Sequence, residues 1–188
     1  MERTLRQIRD EHLALRCQSG EAGAFAELVR VMERPLLYFT RTLVSDDETA
    51  LDVLQAVWMV AFQSIRRLEN PSAVRAWLYR IAHRKAVDRV RGDVSRAEAE
   101  RRRAEESEEV SSDDEPAFDG EDARALHAAI ARLDRAHREV IVLHFLEDLS
   151  VAEVAEVVGC PPGTVKSRIY HAKRALKEAL SRAGHDVA

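Results

Sequence analysis

Cationic and hydrogen-bonding side chains are concentrated in one stretch of the sequence, residues 164–182. Six Lys or Arg residues stand there against a single acid, Glu178, which gives the stretch a net charge of +5. Ser167, Tyr170 and His171 lie among these cations. Ammonium and guanidinium groups bind phosphates, and neighbouring polar side chains can hydrogen-bond to base edges. The stretch therefore predicts contact with a nucleic acid.

A pair of helices joined by a tight turn is predicted to position these groups. Ser150 and Glu153 have the spacing of a capping box, which begins the first helix. Gly159 suits the left-handed residue that ends a helix. Pro161 and Pro162 cannot continue that helix, but a proline suits the first turn of the next one. The apolar stripe predicted for the first helix comprises Val151, Val154, Ala155 and Val158.

The second helix of this pair has two chemically different sides. At about 100° per residue, its buried side is predicted to contain Val165, Ile169, Ala172, Leu176 and Leu180. The opposite side carries Ser167, Tyr170, His171 and Arg174, flanked by Lys166, Lys173 and Lys177. A basic second helix after a tight turn is typical of a helix-turn-helix that reads the DNA major groove. An ordinary helical hairpin with a solvated basic face is the alternative.

A second basic segment spans residues 75–91, where six cationic residues accompany one acid, Asp88, for a net charge of +5. Its inward side is predicted to contain Val74, Leu78 and Ile81. A neighbouring arc carries Trp77, Arg80, His83, Arg84, Val87 and Arg91. Aromatic rings among cations fit unpaired bases and phosphates, through stacking and charge. The alternative is that Trp77 and Tyr79 are core aromatics and the arginines are solvated.

A helix from about residue 45 to residue 65 is predicted before this segment. Ser45 and Glu48 have capping-box spacing. The predicted buried stripe comprises Ala50, Val53, Leu54, Val57 and Ala61, widened by Trp58, Phe62 and Ile65. The opposite side carries Glu48, Asp52, Gln55, Ala56, Met59 and Gln63. An exposed methionine among short side chains suits protein docking as well as a solvated surface.

The remaining segments are predicted to complete two helical packings. Residues 1–18 are charged and weakly periodic, which predicts a frayed helix, and residues 22–44 predict a helix that Pro35 kinks or restarts. Helices are also predicted over residues 123–133 and 135–146. The second of these contains an apolar run, residues 140–146, that is predicted to be buried nearly all round. Together with the helix-turn-helix, these two helices predict a four-helix domain.

The composition predicts an all-α protein with two small helical domains joined by an acidic flexible linker. The 188 residues include only seven glycines and five prolines. The net charge of −4 divides unevenly. Residues 93–122 carry thirteen acidic and four basic side chains, a net charge of −9, whereas residues 1–92 and 123–183 each carry +3. We therefore predict domains at 1–92 and 123–183 and a linker between them.

Several functional classes find no support in the sequence. No apolar run has the length of a membrane span and the first residues lack an apolar signal core, so we expect a cytoplasmic protein without membrane insertion. Cys17 and Cys160 are isolated, which predicts neither disulfides nor a zinc site. Motifs of hydrolases, metalloproteases and nucleotide-binding enzymes are absent. We expect no catalytic residues, metal or cofactor.

Two parts of the sequence resemble known regions of bacterial sigma factors. Residues 133–176, LDRAHREVIVLHFLEDLSVAEVAEVVGCPPGTVKSRIYHAKRAL, resemble region four, and GTVKSR is the most specific part of that match. The stretches DVLQAVWMVAF and AWLYRIAHRKAVDRVR resemble region two. Two such domains with one short linker resemble the extracytoplasmic-function (ECF) subfamily. The resemblance implies a subunit that binds core RNA polymerase and directs promoter-specific initiation.

The resemblance also implies roles for individual residues. Thr164, Lys166, Ser167, Arg168, Tyr170, His171, Lys173, Arg174 and Lys177 correspond to positions at the upstream, −35 promoter element. Within that set, Arg168, Lys173, Arg174 and Lys177 are expected to contact phosphates. Arg66, Arg67, Asn70, Trp77, Arg80, His83, Arg84 and Arg91 correspond to parts that melt and capture the start-proximal, −10 element. Asp52, Gln55, Ala56 and Met59 correspond to the face that docks on core polymerase. An anti-sigma factor is a further implied partner.

Three departures from the family pattern affect these expectations. Arg84 stands where an Asn is frequent, with Lys85 on the buried arc beside it. Leu51 and Ala56 reduce the usual acidic character of the docking helix, and phosphorylation near Thr49 is one hypothesis for restoring charge. Pro161 replaces a capping residue, so Thr164 is expected to share the capping role. A free-standing helix-turn-helix regulator is the alternative function, although it leaves the docking helix and the Trp77 helix without a role.

Overall fold

The computed structural model describes residues 4–101 and 121–182, and it confirms an all-helical protein with two compact units. The first unit contains α1 (Leu5–Gln18), α2 (Ala24–Arg41), α3 (Asp47–Ser64) and α4 (Val74–Arg101). The second contains α5 (Glu121–Ala131), α6 (Arg135–Ile141), α7 (Val151–Val158) and α8 (Pro162–Arg182). Helix α4 continues nine residues into the predicted linker. Most of that linker lies outside the described residues. No helix within the described ranges is long and apolar enough to cross a bilayer.

Helix α1 is regular, and the expectation of a frayed helix was wrong. The hydroxyl of Thr4 accepts from the backbone N–H of Gln7, and the Gln7 side chain accepts from the backbone N–H of Thr4. This capping box satisfies two backbone donors that a helix N-terminus otherwise leaves unpaired. Leu13 and Ala14 are buried against the rest of the unit. The weak periodicity arose because a charged residue, Asp10, also belongs to the buried side.

Asp10 and Arg75 form a buried ion pair between α1 and α4. The side chains are 3% and 8% exposed, and Arg75 Nε and Nη2 donate to Asp10 Oδ2 at 2.8 and 2.5 Å. Arg9 also donates to this carboxylate, through Oδ1 at 3.2 Å, from an exposed position. Burying either charge without the other is strongly unfavourable. Arg75, counted with the cations of its helix in the sequence, is therefore an internal structural residue.

Helix α2 continues through Pro35 as a single helix, so of the two predicted alternatives, a kink or a restart, the restart does not occur. Leu36 and Phe39 are fully buried just after the proline, on the side that also buries Leu28 and Met32. Continued burial of this side offsets the backbone hydrogen bond that a proline removes. Phe39 packs edge-on against Tyr79 of α4, with ring centroids 5.1 Å apart.

Helix α3 begins one residue later than the sequence indicated. Asp46 is its N-cap and accepts from the backbone N–H of Thr49 at 2.8 Å, whereas Ser45 contacts only the Asp46 carboxylate. The predicted stripe of Ala50, Val53, Leu54, Val57 and Ala61 is buried, as is Ile65. Trp58 is half-buried. Phe62 is 67% exposed, contrary to prediction, because the stripe already fills the side of α3 that faces the core.

The second unit contains the predicted four helices, with one irregularity. Residues 142–146 form a π-helical segment after α6 instead of a last α-helical turn. Val140, Ile141, Val142 and Leu143 are buried, as predicted, but Phe145 is 46% exposed. A π turn contains more residues per turn than an α-helix, which changes the side to which the following side chains point. The prediction that the whole run is buried was therefore wrong at its end.

We expect Asp10→Ala to destabilise the first unit by about 3–5 kcal/mol, because it removes the carboxylate to which the buried Arg75 guanidinium donates two hydrogen bonds. Both tryptophans of the sequence, Trp58 and Trp77, lie in this unit, so tryptophan fluorescence during urea unfolding reports on it selectively. Arg9→Ala is the matched control and should change the free energy of unfolding by less than about 1 kcal/mol, because Arg9 is exposed. Equal effects of the two variants would contradict the structural role of the buried pair.

The capping assignment of α3 predicts that Asp46→Ala costs about 1 kcal/mol and that Ser45→Ala costs much less. Hydrogen bonds from Thr49 lower the pKa of the Asp46 carboxyl. The stabilisation is therefore fully present above the ordinary pKa of 3.8 and is lost as the pH falls through the lower pKa of the folded state. The difference between Asp46→Ala and wild type should shrink in acid. If Ser45→Ala cost more stability than Asp46→Ala at neutral pH, Ser45 would be the N-cap, as the sequence indicated.

Candidate nucleic-acid interface and docking face

The turn between α7 and α8 has the geometry that the sequence predicts. Ser150 and Glu153 form both hydrogen bonds of the capping box, and Gly159 ends α7 with a φ of 68°. The carbonyl of Pro161 accepts from the backbone N–H groups of Thr164 and Val165 at 2.9 and 3.2 Å. Pro161 therefore occupies the N-cap position. Thr164 lies inside the first turn of α8 instead of sharing the cap.

Helix α8 buries one side and presents the predicted polar side to solvent. Val165, Ala172 and Leu176 are buried, and Ile169 and Leu180 are half-buried. We call the exposed members of the predicted −35 set the α8 face; they are Thr164, Lys166, Ser167, Tyr170, His171, Lys173, Arg174 and Lys177. Arg168 is half-buried at the edge of the face. Tyr170 is 66% exposed, so its ring is available to a partner.

Side chains from α6 and its π segment contact the two edges of the α8 face. The His137 ring lies 6.4 Å from the His171 ring, and the Phe145 ring lies 5.7 Å from Lys173 Nζ. Asp134 fixes His137: Oδ1 accepts from its backbone N–H at 3.0 Å, and Oδ2 lies 2.5 Å from Nδ1. Hydrogen bonding to the backbone N–H of His137 lowers the pKa of Asp134. Periodicity of α8 alone could not identify these two neighbours.

Two contacts fix further side chains of the α8 face. Arg174 Nε donates to Glu178 Oε1 at 3.1 Å, one turn along the helix. The rings of Tyr170 and His171 meet edge to face, with centroids 5.4 Å apart. Arg174 is therefore partly neutralised by the single acid of the stretch.

Helix α4 presents most of its predicted arc, although fewer cations are exposed than the sequence count suggests. Arg80, Arg84 and Arg91 are exposed, and the remaining members of the arc, Trp77, His83 and Val87, are half-buried. Tyr79 is fully buried, as expected for a core aromatic. Lys85, predicted on the buried arc, is half-buried. Arg75 is paired with Asp10, and Arg89 lies 3.9 Å from Asp52 of α3.

The connector before α4 is ordered by local hydrogen bonds. The amide of Gln18 donates to the carbonyls of Ile65 and Leu68 at 3.2 and 2.6 Å. Asn70 caps the 3₁₀ turn over residues 71–73, because its Oδ1 accepts from the backbone N–H and hydroxyl of Ser72. Asn70 stabilises the conformation of the connector and is itself exposed.

Two predicted site residues of the connector, Arg66 and Arg67, are exposed. The Arg66 guanidinium lies close over Gly20, where an added Cβ would stand 2.9 Å from Nη2. Gly20 also has a φ of 77°, which favours glycine. The positive φ and the nearby guanidinium both favour glycine at this position.

The exposed side of α3 combines the predicted residues with unpredicted apolar ones. Asp52, Gln55 and Met59 are exposed, and Ala56 is half-buried. Leu51, Met59 and Phe62 are 52%, 59% and 67% exposed, and with Gln55 they recur at helical spacing along one line. We call Leu51, Asp52, Gln55, Met59 and Phe62 the α3 face. An exposed apolar row of this kind is typical of a protein-interaction surface.

Phe62 is held in its exposed position by other aromatic rings. Its ring packs edge-on against Phe25 of α2 at 5.1 Å, and Phe25 packs against Trp58 at 6.1 Å. The aromatic group thus joins the α3 face to the body of the unit.

The hypothesis of phosphorylation near Thr49 does not fit the structure. Thr49 is 8% exposed, and its backbone N–H donates to Asp46 Oδ1 at 2.8 Å. Phosphorylation of Thr49 would place a phosphate beside the Asp46 carboxylate and disrupt the cap of α3.

The described part of the chain brings together no three side chains that could hold a metal ion. Burial raises the pKa of the Cys17 thiol, which makes it a poor nucleophile. The features that stand out among the described residues are the exposed surfaces of α8, α4 and α3.

Comparisons with known proteins agree with this description. The family model "Sigma-70 region 2" matches residues 28–96, and "Sigma-70, region 4" matches residues 123–176. The RNA polymerase sigma-H factor of Pseudomonas aeruginosa is 31% identical over 185 residues, with 94% of this chain and 96% of that protein covered. The ECF RNA polymerase sigma-E factor of Haemophilus influenzae is 30% identical, with coverages of 93% and 96%.

Solved structures share the fold. A co-crystal structure of the sigma factor RpoE with the anti-sigma factor NepR from Bartonella quintana has a TM-score of 0.71 at 24% identity, covering 85% of this chain and 98% of that one. A structure of CnrH with the cytosolic domain of CnrY has a TM-score of 0.61 at 24% identity, covering 92% and 97%. On the family models and the relatives together, the chain belongs to the sigma factors of bacterial RNA polymerase, in their extracytoplasmic-function subfamily.

Proposed function

We propose that this sigma factor divides its work among three surfaces: the α8 face for the −35 element, the α4 arc with its connector for the −10 element, and the α3 face for core RNA polymerase. Promoter-specific initiation is the function of the family. The assignment of surfaces rests chiefly on one observation, the sharp separation of buried and exposed sides on α8.

The α8 face has the chemistry for reading double-stranded DNA. Lys166, Ser167, Tyr170 and His171 are exposed on the first half of the helix, where a recognition helix meets base edges. Arg168, Lys173, Arg174 and Lys177 lie at the edges or farther along and are suited to phosphates, which set register without specifying sequence. Thr164 lies at the helix N-terminus, where backbone N–H groups favour an anion.

The α4 arc is suited to single-stranded DNA. Trp77 and His83 are half-buried, which leaves part of each ring for a base, while Arg80, Arg84 and Arg91 provide positive charge. Arg66, Arg67 and Asn70 extend the arc through the ordered connector. The binding energy gained by capturing an unpaired, flipped base drives strand separation, so no nucleotide hydrolysis is needed. Arg75 has no part in this surface because Asp10 holds it inside.

The α3 face is suited to docking on core polymerase through apolar area as well as charge. Asp52 is the principal acid among the predicted contacts Asp52, Gln55, Ala56 and Met59, and Arg89 lies near it. Leu51, Met59 and Phe62 add exposed apolar surface, whose burial favours association by about 25 cal/mol per Å². This apolar surface compensates for acidic residues that the family usually has on this helix and that this chain lacks.

We infer that an anti-sigma factor regulates this protein, because both structural neighbours named above were solved as complexes, one explicitly with an anti-sigma factor. We also place the protein in the cytoplasm, where core RNA polymerase acts, and assign it no catalytic activity of its own.

Run-off transcription tests the function directly. Purified core RNA polymerase and a pool of promoter fragments are combined with and without the full-length protein, and templates that give defined transcripts are sequenced. Specific initiation that requires both components supports the proposal and identifies both promoter elements. DNA binding without initiation, and without association with core, would instead favour a free-standing regulator.

We expect Met59→Asp and Phe62→Asp each to weaken binding to core RNA polymerase by at least about tenfold, which corresponds to about 1.4 kcal/mol. A carboxylate at the centre of an apolar contact must be desolvated there. Leu15→Asp is the matched control, since Leu15 is an equally apolar side chain, 49% exposed, on α1. Fluorescence anisotropy with labelled core would measure the affinities. Equal losses in all three variants would remove the α3 face as the docking site.

Lys166→Gln and Lys177→Gln should weaken promoter binding in different ways. Loss of a base contact at Lys166 should relax discrimination at one position of the −35 element, by about 1–3 kcal/mol. Loss of a phosphate contact at Lys177 should weaken binding to all sequences alike and reduce the slope of log K against log salt by about 0.9. Holoenzyme titrations of matched and mismatched fragments at several salt concentrations separate the two. The same salt slope and sequence preference in both variants would contradict the division of roles.

A further inference from the structure

Phe145 is a large apolar side chain that the core of the second unit does not bury. It is 46% exposed, although Val142 and Leu143 in the same π segment are fully buried. Its ring nevertheless has defined neighbours. The His144 ring packs against it edge to face at 4.7 Å, and His144 Nδ1 lies 2.7 Å from the carbonyl of Leu149. Because a carbonyl can only accept, Nδ1 carries the proton, and the hydrogen bond fixes the imidazole that supports Phe145.

Lys173 of α8 extends over this ring. Its Nζ lies 5.7 Å from the Phe145 centroid, within the range of a cation–π interaction. The lysine is itself exposed at the edge of the α8 face. A free lysine side chain samples many rotamers and loses that freedom when it binds a phosphate. A lysine already held over a ring loses less.

The neighbouring Arg174 makes the opposite kind of contact. It is held by the carboxylate of Glu178, which restricts the side chain but also offsets its charge. An aromatic ring restricts a cation through its quadrupole and leaves the full positive charge available to a second partner. Phe145 therefore orients Lys173 without competing with an incoming phosphate.

We propose that Phe145 is a positioning residue for promoter binding, which holds the Lys173 ammonium at the edge of the α8 face for a phosphate of the −35 element. The inference rests on the proposed function of that face. Phe145 itself touches no DNA in this scheme and acts through Lys173.

A double-mutant cycle tests the inference. Holoenzyme is assembled with the full-length wild type, Phe145→Leu, Lys173→Gln and the double variant, and binding to a promoter fragment selected by run-off transcription is titrated at several salt concentrations. Phe145→Leu should weaken binding about two- to fivefold, the fold-change that an exposed cation–π contact corresponds to. Lys173→Gln should weaken it further and reduce the salt slope by about 0.9. In the Lys173→Gln background, Phe145→Leu should have no further effect. Phe145→Tyr keeps the ring and should bind as wild type does.

Each contrary result has a distinct meaning. Equal losses from Phe145→Leu in both backgrounds, or no loss in either, would overturn the coupling between the ring and the lysine. A general loss of stability from Phe145→Leu cannot imitate the coupling, because it would appear in both backgrounds. Failure of wild-type holoenzyme to bind any promoter fragment would overturn the proposed function and the inference with it, whereas failure of the inference alone leaves wild-type binding intact.

Discussion

Each functional helix of this protein can bury only one of its sides, and the location of that side determines what the opposite side offers to a partner. On α8, burial of Val165, Ala172 and Leu176 turns Lys166, Tyr170 and Arg174 outward. On α3, burial of Ala50, Val57 and Ala61 does the same for Asp52 and Met59. Burial of apolar area provides most of the free energy that orients each helix. The exposed polar residues contribute little to stability, so they are available for binding.

The charged residues of the chain fall into two groups that the net charge cannot separate. Some are used internally, as in the pair of Asp10 with Arg75 and the pair of Glu139 with Arg135 at 2.7 Å. Others, such as Arg84 and Lys177, are exposed on the surfaces of α4 and α8. Only exposed cations can neutralise phosphates and so produce a salt dependence of binding. Counting cations along α4 therefore overestimates the charge that DNA would meet.

The sequence alone was sufficient for the fold class, the helix-turn-helix and the exposed side of α8, because local spacing and capping residues decide these features. It was insufficient where the deciding partner is distant or where apolar residues outnumber buried positions. Nothing near Arg75 indicates Asp10, which lies 65 residues earlier. Phe62 and Phe145 match a buried pattern by type, yet both are exposed. The core side of α3 is already filled by other residues, and the π turn redirects the side chain of Phe145. At α3, two adjacent residues could cap the helix, and only the backbone geometry selects Asp46.

The pair of Asp10 and Arg75 also constrains the order in which the first unit folds while the protein is synthesised. Helix α1 leaves the ribosome first, with a carboxylate on the side that will be buried, and the matching guanidinium follows 65 residues later. Until α4 emerges, the Asp10 carboxylate has the exposed Arg9 beside it, but burying it without Arg75 is unfavourable. The first unit therefore closes late, as a whole, after its last helix has been translated. Since domains generally fold as units during synthesis, the first unit becomes complete before helix α8 exists.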